Sequence, residues 1–474
     1  MSTPPDARAL RELEQLLDPT ALWRGDDPAA QGHLHPWRGA PDGRALAVVR
    51  PGDTEQVRAV VGWARRHRTP LVPQGANTGL VGASTPPPSG SCVVVSTDRL
   101  RRPPRIDVAD RAAIVDAGVR LSELDAAAAP HGLHLPIDLG ADPSIGGMVA
   151  TNTGGSRMLA YGDMRRRVLG LRAVLADEAR SVVDELTTLR KHNTGPSYTQ
   201  LVVGTGGAFG IVTEVALELE PVPRRRAVAW LAPRGGAAIL SALTTLEHHH
   251  GRSLTAFEVM SAPAIRAALA LPRSAPPPFR GALGDHVVLV ELSGGDDVDD
   301  ELLVALDALQ GLGLLDDAEV PPTGSAWSLR HSITEGLSRQ GVVVGFDVSV
   351  PRGSLPELVT TVRDELVELV PTATLADFGH WGDGGVHCNV LLAVDDPAAE
   401  MGSPQRAAIR ELVLGAVVDR FGGSFSAEHG VGPLNADWWR RCTPAATRLR
   451  WRQLTSVIDP VGILGHPGLP YRDG

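Results

Sequence analysis

The sequence predicts an α+β chain built in two parts, and three observations carry that prediction. Glycine-rich loops punctuate short apolar segments through the first 220 or so residues. From about residue 227 to 394, apolar segments of strand length alternate with amphipathic segments of helix length. Between the two regimes stand Pro221 and Pro223 with Arg224, Arg225 and Arg226, a stretch suited to a boundary. At 474 residues the chain is long enough for two or three domains and a substantial core.

Composition narrows the function classes. The formal net charge is −10, from 45 basic and 55 acidic residues with no basic block, which argues against nucleic-acid binding. Three cysteines, Cys92, Cys388 and Cys442, make neither a disulfide framework nor a cysteine-rich zinc pattern, as in a reducing compartment. Residues 1–18 mix acids with arginines and lack an apolar core, unlike a signal or transit peptide. No apolar run reaches membrane-spanning length, so a cytoplasmic protein without a transmembrane segment is expected.

In order, a helix is expected over 7–17 and a strand over 45–50. Asp53 and Gln56 then have capping-box spacing ahead of a helix carrying Val57, Val60, Val61 and Ala64. A short strand over 70–73 leads into the loop Gln74-Gly75-Ala76-Asn77-Thr78-Gly79-Leu80, whose backbone N–H groups could face a phosphate. Most such loops are only turns. A strand over 92–96, a hairpin around 105–118 and a helix over 121–129 follow. Residues 135–155 hold five glycines, few charges and small side chains, and could lie against a flat or extended ligand or simply pack. A hairpin over 169–185 and the glycines of 204–212 close this half.

In the second half, strands fit 227–231, 257–260, 286–292 and 342–350, and helices fit 237–248, 299–312, 326–339 and 355–370. The alternation predicts a sheet with one face covered by helices. In the helix over 326–339, Leu329, Ile333 and Leu337 form the buried stripe, while Arg330 and Thr334 share the adjoining face. An arginine beside a hydroxyl can clamp a carboxylate; a helical arginine is more often simply solvated. A further helix over 404–420 precedes the last segment.

The densest chemistry lies in residues 379–389. Asp383-Gly384 reads as a two-residue hairpin turn, which would set Trp381 against Val386 and His380 against His387. Asn389 would share the histidine face, with Val386, Cys388 and Val390 on the other. Two imidazoles and an amide look like half of a metal site. Glu428 and His429, inside the glycine-rich segment 423–432, would supply the rest, since two histidines and a carboxylate with open positions can hold a catalytic metal. In a chain with 15 histidines the residue types alone favour solvated surface groups; the glycine crowding around both segments weighs toward a site.

With these segments in order, residues from about 45 to 468 resemble the flavoproteins of the vanillyl-alcohol oxidase type, and more narrowly the D-2-hydroxyacid dehydrogenases. The resemblance implies a two-part FAD-binding domain over 1–222, a substrate or cap domain with a mixed or antiparallel sheet over 223–420, and a segment 421–474 returning to the FAD domain. It implies FAD held by Pro73, Gln74, Gly75, Ala76, Asn77, Thr78, Gly79, Leu80, Pro136, Asp138, Gly146, Gly147, Thr151, Asn152, Gly154, Gly210, Ile211 and Val212. The attachment should be non-covalent, because the first loop has no histidine or cysteine of the kind used for covalent linkage in this fold class. It implies a divalent metal, zinc or manganese, at His380, His387 and Glu428. Substrate contacts would come from Arg330, Thr334, Asn389 and His429, with His429 as the base. The substrate would be a small 2-hydroxy acid and the electron acceptor an electron-transfer protein or a quinone; a homodimer is compatible with all of this.

The chemistry agrees with those roles. Removing hydride from a secondary alcohol requires a group to take the hydroxyl proton, a group to hold the adjacent carboxylate, and placement of the C–H against the flavin. Imidazole is the natural base near neutral pH, a metal supplies Lewis acidity, and arginine gives two-point carboxylate recognition. The sequence departs from the family pattern at four positions. Gly206 stands where Glu is usual, Gly385 where Asn is usual, Glu178 where Gly is usual, and Gly345 where the hydroxyglutarate-using branch carries Lys. None removes an implied ligand or the base, but the last bears on substrate identity. Two other functions compete: an FAD-binding partner subunit without turnover, and a non-redox transferase on the same fold.

Overall fold

The computed structural model describes residues 7–36 and 42–472; the first six residues of the N-terminal stretch lie outside it. The chain forms two compact units. One comprises Met1–Gly154, Gly162–Val222 and Glu428–Gly474, the other Gly155–Tyr161 and Pro223–Ala427.

Among its described residues, the first unit holds two larger sheets and a two-stranded pair of Leu133–His134 with Glu220–Pro221. The four-stranded sheet has the order Leu22–Arg24, Ala47–Val49, Val93–Ser96, Leu71–Gln74. Its last three strands are parallel, and Val93–Ser96 is buried throughout, as expected for a parallel strand covered on both faces. The helix Thr54–His67 makes the crossover between Ala47–Val49 and Leu71–Gln74. Asp53 caps it by accepting from the Gln56 N–H at 2.8 Å, while the Gln56 side chain accepts from Gly52 rather than from Asp53. The expected box is thus displaced by one residue. Trp63 in this helix is fully buried and donates its indole N–H to the Ala9 carbonyl at 2.7 Å, tying down the helix Ala7–Glu14.

The larger sheet of this unit is antiparallel, in the order Arg105–Asp107, Ala112–Asp116, Ile211–Glu218, Val168–Val174, Val182–Asp184. One apolar core joins both sheets, from Val60 and Val93 to Leu171 and Val215. The C-terminal segment enters that core. Ile463 and Leu464 are buried in it, and the Leu71 N–H donates to the Ile463 carbonyl at 2.7 Å.

The second unit is built on a seven-stranded sheet whose pairs are all antiparallel. Its order is Leu315–Glu319, Arg225–Pro233, His286–Gly294, Leu254–Ser261, Thr374–Gly379, Gly385–Leu392, Val342–Ser349. The helices Ala262–Leu269 and Thr323–Gln340 pack on one face, against Val228, Trp230, Met260, Leu289, Ala376 and Phe378. The helices Gly236–His250, Val298–Gly311 and Leu355–Leu369 touch the same strands yet contribute nothing to that cluster, so they cover the opposite face. The sheet is therefore covered on both faces, where the alternation predicted one. The short helix Ala262–Leu269, started by Pro263, and the edge strand Leu315–Glu319 are elements the alternation did not reveal.

Arg157 explains why Gly155–Tyr161 belongs to this unit. Its guanidinium makes a two-point bond to the fully buried Glu291 in the sheet, at 2.8 and 3.2 Å. Among the described residues, no helix is long and apolar enough to cross a membrane.

Candidate active site

The hairpin made by the fifth and sixth strands of the sheet brings His380 and His387 together, but not by the expected register. Strands Thr374–Gly379 and Gly385–Leu392 pair with Phe378, not His380, opposite His387. The connection is the five-residue loop 380–384 rather than a two-residue Asp-Gly turn. Asp383 accounts for the difference. Its side chain accepts from the Gly385 N–H at 2.9 Å, and the His380 carbonyl accepts from both Asp383 and Gly385 at 3.1 Å. This closes a wider turn that places His380 beyond the ladder. The imidazole nonetheless meets its partner: the ring centroids of His380 and His387 lie 5.2 Å apart, nearly perpendicular at 80°.

Each of these rings has a buried carboxylate at Nδ1. Glu258, with no exposed surface, lies 2.5 Å from His380 Nδ1 through Oε1. Asp347, buried and directly across the ladder from His387, lies 3.4 Å from His387 Nδ1. The second oxygen of Glu258 accepts from Arg330 Nε at 2.6 Å. Burial by itself would raise the Glu258 pKa, but the charges and hydrogen bonds of His380 and Arg330 outweigh it and pull it down to about 2.

Arg330 is buried rather than solvated, with its guanidinium 4.7 Å above the Phe378 ring. Thr334, one turn on, is exposed. Asn389 shares the His387 face as expected; its amide donates weakly to the carbonyls of His387 and Ala376, at 3.3 and 3.4 Å. Gly345 sits opposite Asn389 across the ladder. Glu428 and His429 are half-buried, and they directly follow Ala427, whose N–H donates to the Asp347 carbonyl at 3.0 Å.

Glu258 and Asp347 were missed as site residues by sequence reasoning. The signal for Glu258 was available: a lone carboxylate inside the apolar run Ala256-Phe257-Glu258-Val259-Met260 must find a partner when that strand is buried. Asp347 lies in a similar strand between Phe346 and Val348.

In the first unit, three of the glycine-rich segments converge. A Cβ on Gly75 would overlap Ser144 Oγ, and a Cβ on Gly207 would lie 2.9 Å from Pro73 Cγ. The helix Ile145–Thr151 stands between these segments, capped by Ser144, which accepts from the Gly147 N–H at 3.2 Å. Gly146 packs on Ala117, where a Cβ would come within 2.6 Å of the alanine methyl.

The polar side chains of these segments are held by the protein itself. Gln74 bonds His33 and Ser84, Asn77 bonds His35 and Ser84, and Asn152 bonds Asp163 and the Arg165 N–H. Thr151 bonds the Gly147 carbonyl and Thr153. Ala76, Thr78 and Leu80 are half-buried and Gly79 is exposed; Pro136 is buried, Asp138 half-buried and Gly154 buried. Gly210, Ile211 and Val212 are buried at the start of the strand paired with Val168–Val174. The result is a surface of small residues and backbone on which Gln74, Asn77, Thr151 and Asn152 are already hydrogen-bonded, which fits a flat cofactor approached by main chain.

Comparison with known proteins agrees with this architecture. Residues 45–181 match the FAD binding domain family, and residues 222–468 match the C-terminal domain of the FAD linked oxidases. The chain is 34% identical over 459 residues to a mitochondrial D-2-hydroxyglutarate dehydrogenase of Bos taurus, covering 92% of this chain and 78% of that protein. It is 31% identical over 432 residues to a D-2-hydroxyglutarate dehydrogenase of Xanthomonas citri pv. viticola, covering 89% of this chain and 88% of the relative. Among solved structures, p-cresol methylhydroxylase with substrate bound superposes with a TM-score of 0.79 at 16% identity, over 98% of this chain and 97% of the other. The sheets of the first unit, the covered antiparallel sheet of the second and matches over nearly the whole chain have one explanation: this protein belongs to the FAD-linked oxidases, as a flavoenzyme of the D-2-hydroxyacid dehydrogenase family.

Proposed function

We propose that the protein oxidises a small D-2-hydroxy acid to the 2-oxo acid, using FAD held non-covalently in the first unit and a divalent metal, zinc or manganese, at His380, His387 and Glu428. The FAD-binding part is taken as residues 1–222 with 421–474, and the substrate part as 223–420. The observation that carries the reading is the imidazole pair: two rings 5.2 Å apart, each with Nδ1 against a buried carboxylate, beside a buried arginine. A carboxylate at Nδ1 selects the tautomer whose Nε2 can ligate, the arrangement behind most histidine metal ligands.

The chain's own side chains divide the work. Arg330, fixed through Nε, keeps its two Nη groups for a substrate carboxylate, a planar two-point contact that a lysine could not make. Asn389 and Thr334 orient the hydroxyl-bearing carbon. His429 takes the hydroxyl proton on its imidazole. The metal would supply Lewis acidity at the substrate oxygen, and FAD supplies the hydride-accepting chemistry that no side chain has. An electron-transfer protein or a quinone then takes the electrons.

Elemental analysis tests the metal assignment. Wild type and His387→Ala are loaded with Zn²⁺ or Mn²⁺ and desalted. Wild type should retain one ion per chain and the variant far less; equal contents would remove the assignment. Acid denaturation should release all flavin into the supernatant, and flavin remaining on the precipitated chain would contradict non-covalent binding.

A further inference from the structure

We propose that Glu258 is a positioning residue shared by the two halves of the site, its Oε1 holding His380 and its Oε2 holding Arg330. The inference rests on the metal and substrate roles proposed above and adds a residue that neither role includes. The geometry is specific: 2.5 Å to His380 Nδ1, 2.6 Å to Arg330 Nε, and no exposed surface on the carboxylate.

A buried carboxylate with two charge-assisted donors is tightly fixed, because losing either donor leaves part of its charge uncompensated. The same bonds fix the donors. On His380, an Nδ1–H engaged by Glu258 leaves Nε2 as the nitrogen with a lone pair for a ligand. On Arg330, an engaged Nε leaves the Nη edge as the face for a substrate carboxylate. Phe378, 4.7 Å beneath the guanidinium, opposes its rotation. One side chain, Glu258, therefore ties the metal ligand to the clamp. Asp347 stands beside the other imidazole, 3.4 Å from His387 Nδ1.

The test compares wild type with Glu258→Gln, Glu258→Asp and Arg330→Gln as FAD-loaded full chains. Zn²⁺ affinity is measured by competition with a chromogenic chelator. Steady-state kinetics use a D-2-hydroxy acid and its methyl ester, which lacks the carboxylate. Glutamine keeps the size of the side chain but can accept through only one of its two terminal atoms.

Glu258→Gln should weaken Zn²⁺ by about 10- to 100-fold, the usual cost of losing an outer-shell partner. At saturating Zn²⁺ it should also raise KM for the acid while leaving that for the ester nearly unchanged. Loss of a merely structural residue would raise both KM values alike. Arg330→Gln removes no ligand but frees one oxygen of Glu258, so it should shift Zn²⁺ affinity several-fold; this arm stands even where Glu258→Gln does not fold. Glu258→Asp should restore part of both effects.

Wild-type Zn²⁺ affinity and acid-to-ester preference retained in Glu258→Gln, or Zn²⁺ affinity unmoved in Arg330→Gln, would overturn the shared role. A wild type that binds no Zn²⁺ would instead remove the metal assignment, and the KM comparison would still decide whether Glu258 positions Arg330.

Discussion

Glu258 and Glu291 lie on neighbouring strands of the seven-stranded sheet, on the same face, and both are fully buried. Each is paired with an arginine. Glu291 has both its oxygens taken by several donors: Arg157 at two points, the Thr255 hydroxyl at 2.8 Å and Trp327 Nε1 at 2.8 Å. Burial would raise its pKa, yet Arg157 holds it below the usual carboxylate range. Among the described residues, Glu258 is bonded by Arg330 and an imidazole alone. The saturated carboxylate is a strut, holding Gly155–Tyr161 in the second unit. The one shared with histidine holds an imidazole and a guanidinium at once, through its two separate oxygens. A buried arginine–carboxylate pair therefore says little about function until its remaining partners are known.

The largest effect expected from this comparison is on stability. Glu291→Ala leaves the Arg157 charge buried without its partner, which should cost about 3–5 kcal/mol. A denaturant titration should show the midpoint fall by a corresponding amount, and an unchanged midpoint would mean the pair is not a strut.

His466 sharpens the contrast from the other side, as a buried histidine with no carboxylate. Its Nδ1 accepts from the Gly468 N–H at 2.9 Å, and burial pushes its pKa down to about 4. A depressed histidine disfavours protonation in the folded state, so the unfolded chain takes up the proton first. Stability should thus be intact above pH ~6.5 and decline progressively toward pH ~4, by roughly 3 kcal/mol in all. His466→Gln should flatten that part of the pH profile; an identical slope in both proteins would contradict the assignment.

Next in size is the proposed base. His429→Ala should lose about 100-fold in the rate of flavin reduction while retaining FAD, the usual value of positioned proton transfer. Reduction at the wild-type rate would exclude His429.

The smallest effect concerns substrate choice beside the Glu258 cluster. Gly345 is exposed, and a Cβ there would meet Asn389 Oδ1 at 3.2 Å, so a lysine fits with a small shift of the amide. Without that cation, wild type should prefer D-lactate or D-2-hydroxybutyrate over D-2-hydroxyglutarate. Gly345→Lys should improve kcat/KM for D-2-hydroxyglutarate by about 10- to 100-fold, as expected for a hydrogen bond to a charged group. Preference for D-2-hydroxyglutarate by a large factor in wild type would show that another group supplies the contact.

What could be read beforehand was local. Amphipathic spacing located the helices Thr54–His67 and Thr323–Gln340, and apolar runs located the strands that pair around His387. Asp383-Gly384 did mark the reversal of the chain, but its register depended on a hydrogen bond from Gly385 to the Asp383 side chain, which residue types alone do not decide. The meeting of His380 and His387 came through that different route. Glu258 and Asp347 were less legible because their roles arise from burial and from partners distant in sequence, such as Arg330, which is 72 residues from Glu258. The excursion Gly155–Tyr161 depends likewise on a partner 134 residues away.

The central claim is that this flavoenzyme draws hydride from a D-2-hydroxy acid bound at the histidine and arginine site. Its most direct test is an anaerobic screen of D- and L-2-hydroxy acids against the FAD- and metal-loaded protein, following bleaching of the flavin absorbance. At least one D-acid should bleach the flavin fully in wild type, its L-enantiomer should not, and Arg330→Gln should bleach far more slowly with the same acid. Flavin that no D-2-hydroxy acid reduces, or that D- and L-acids reduce equally, would contradict the account.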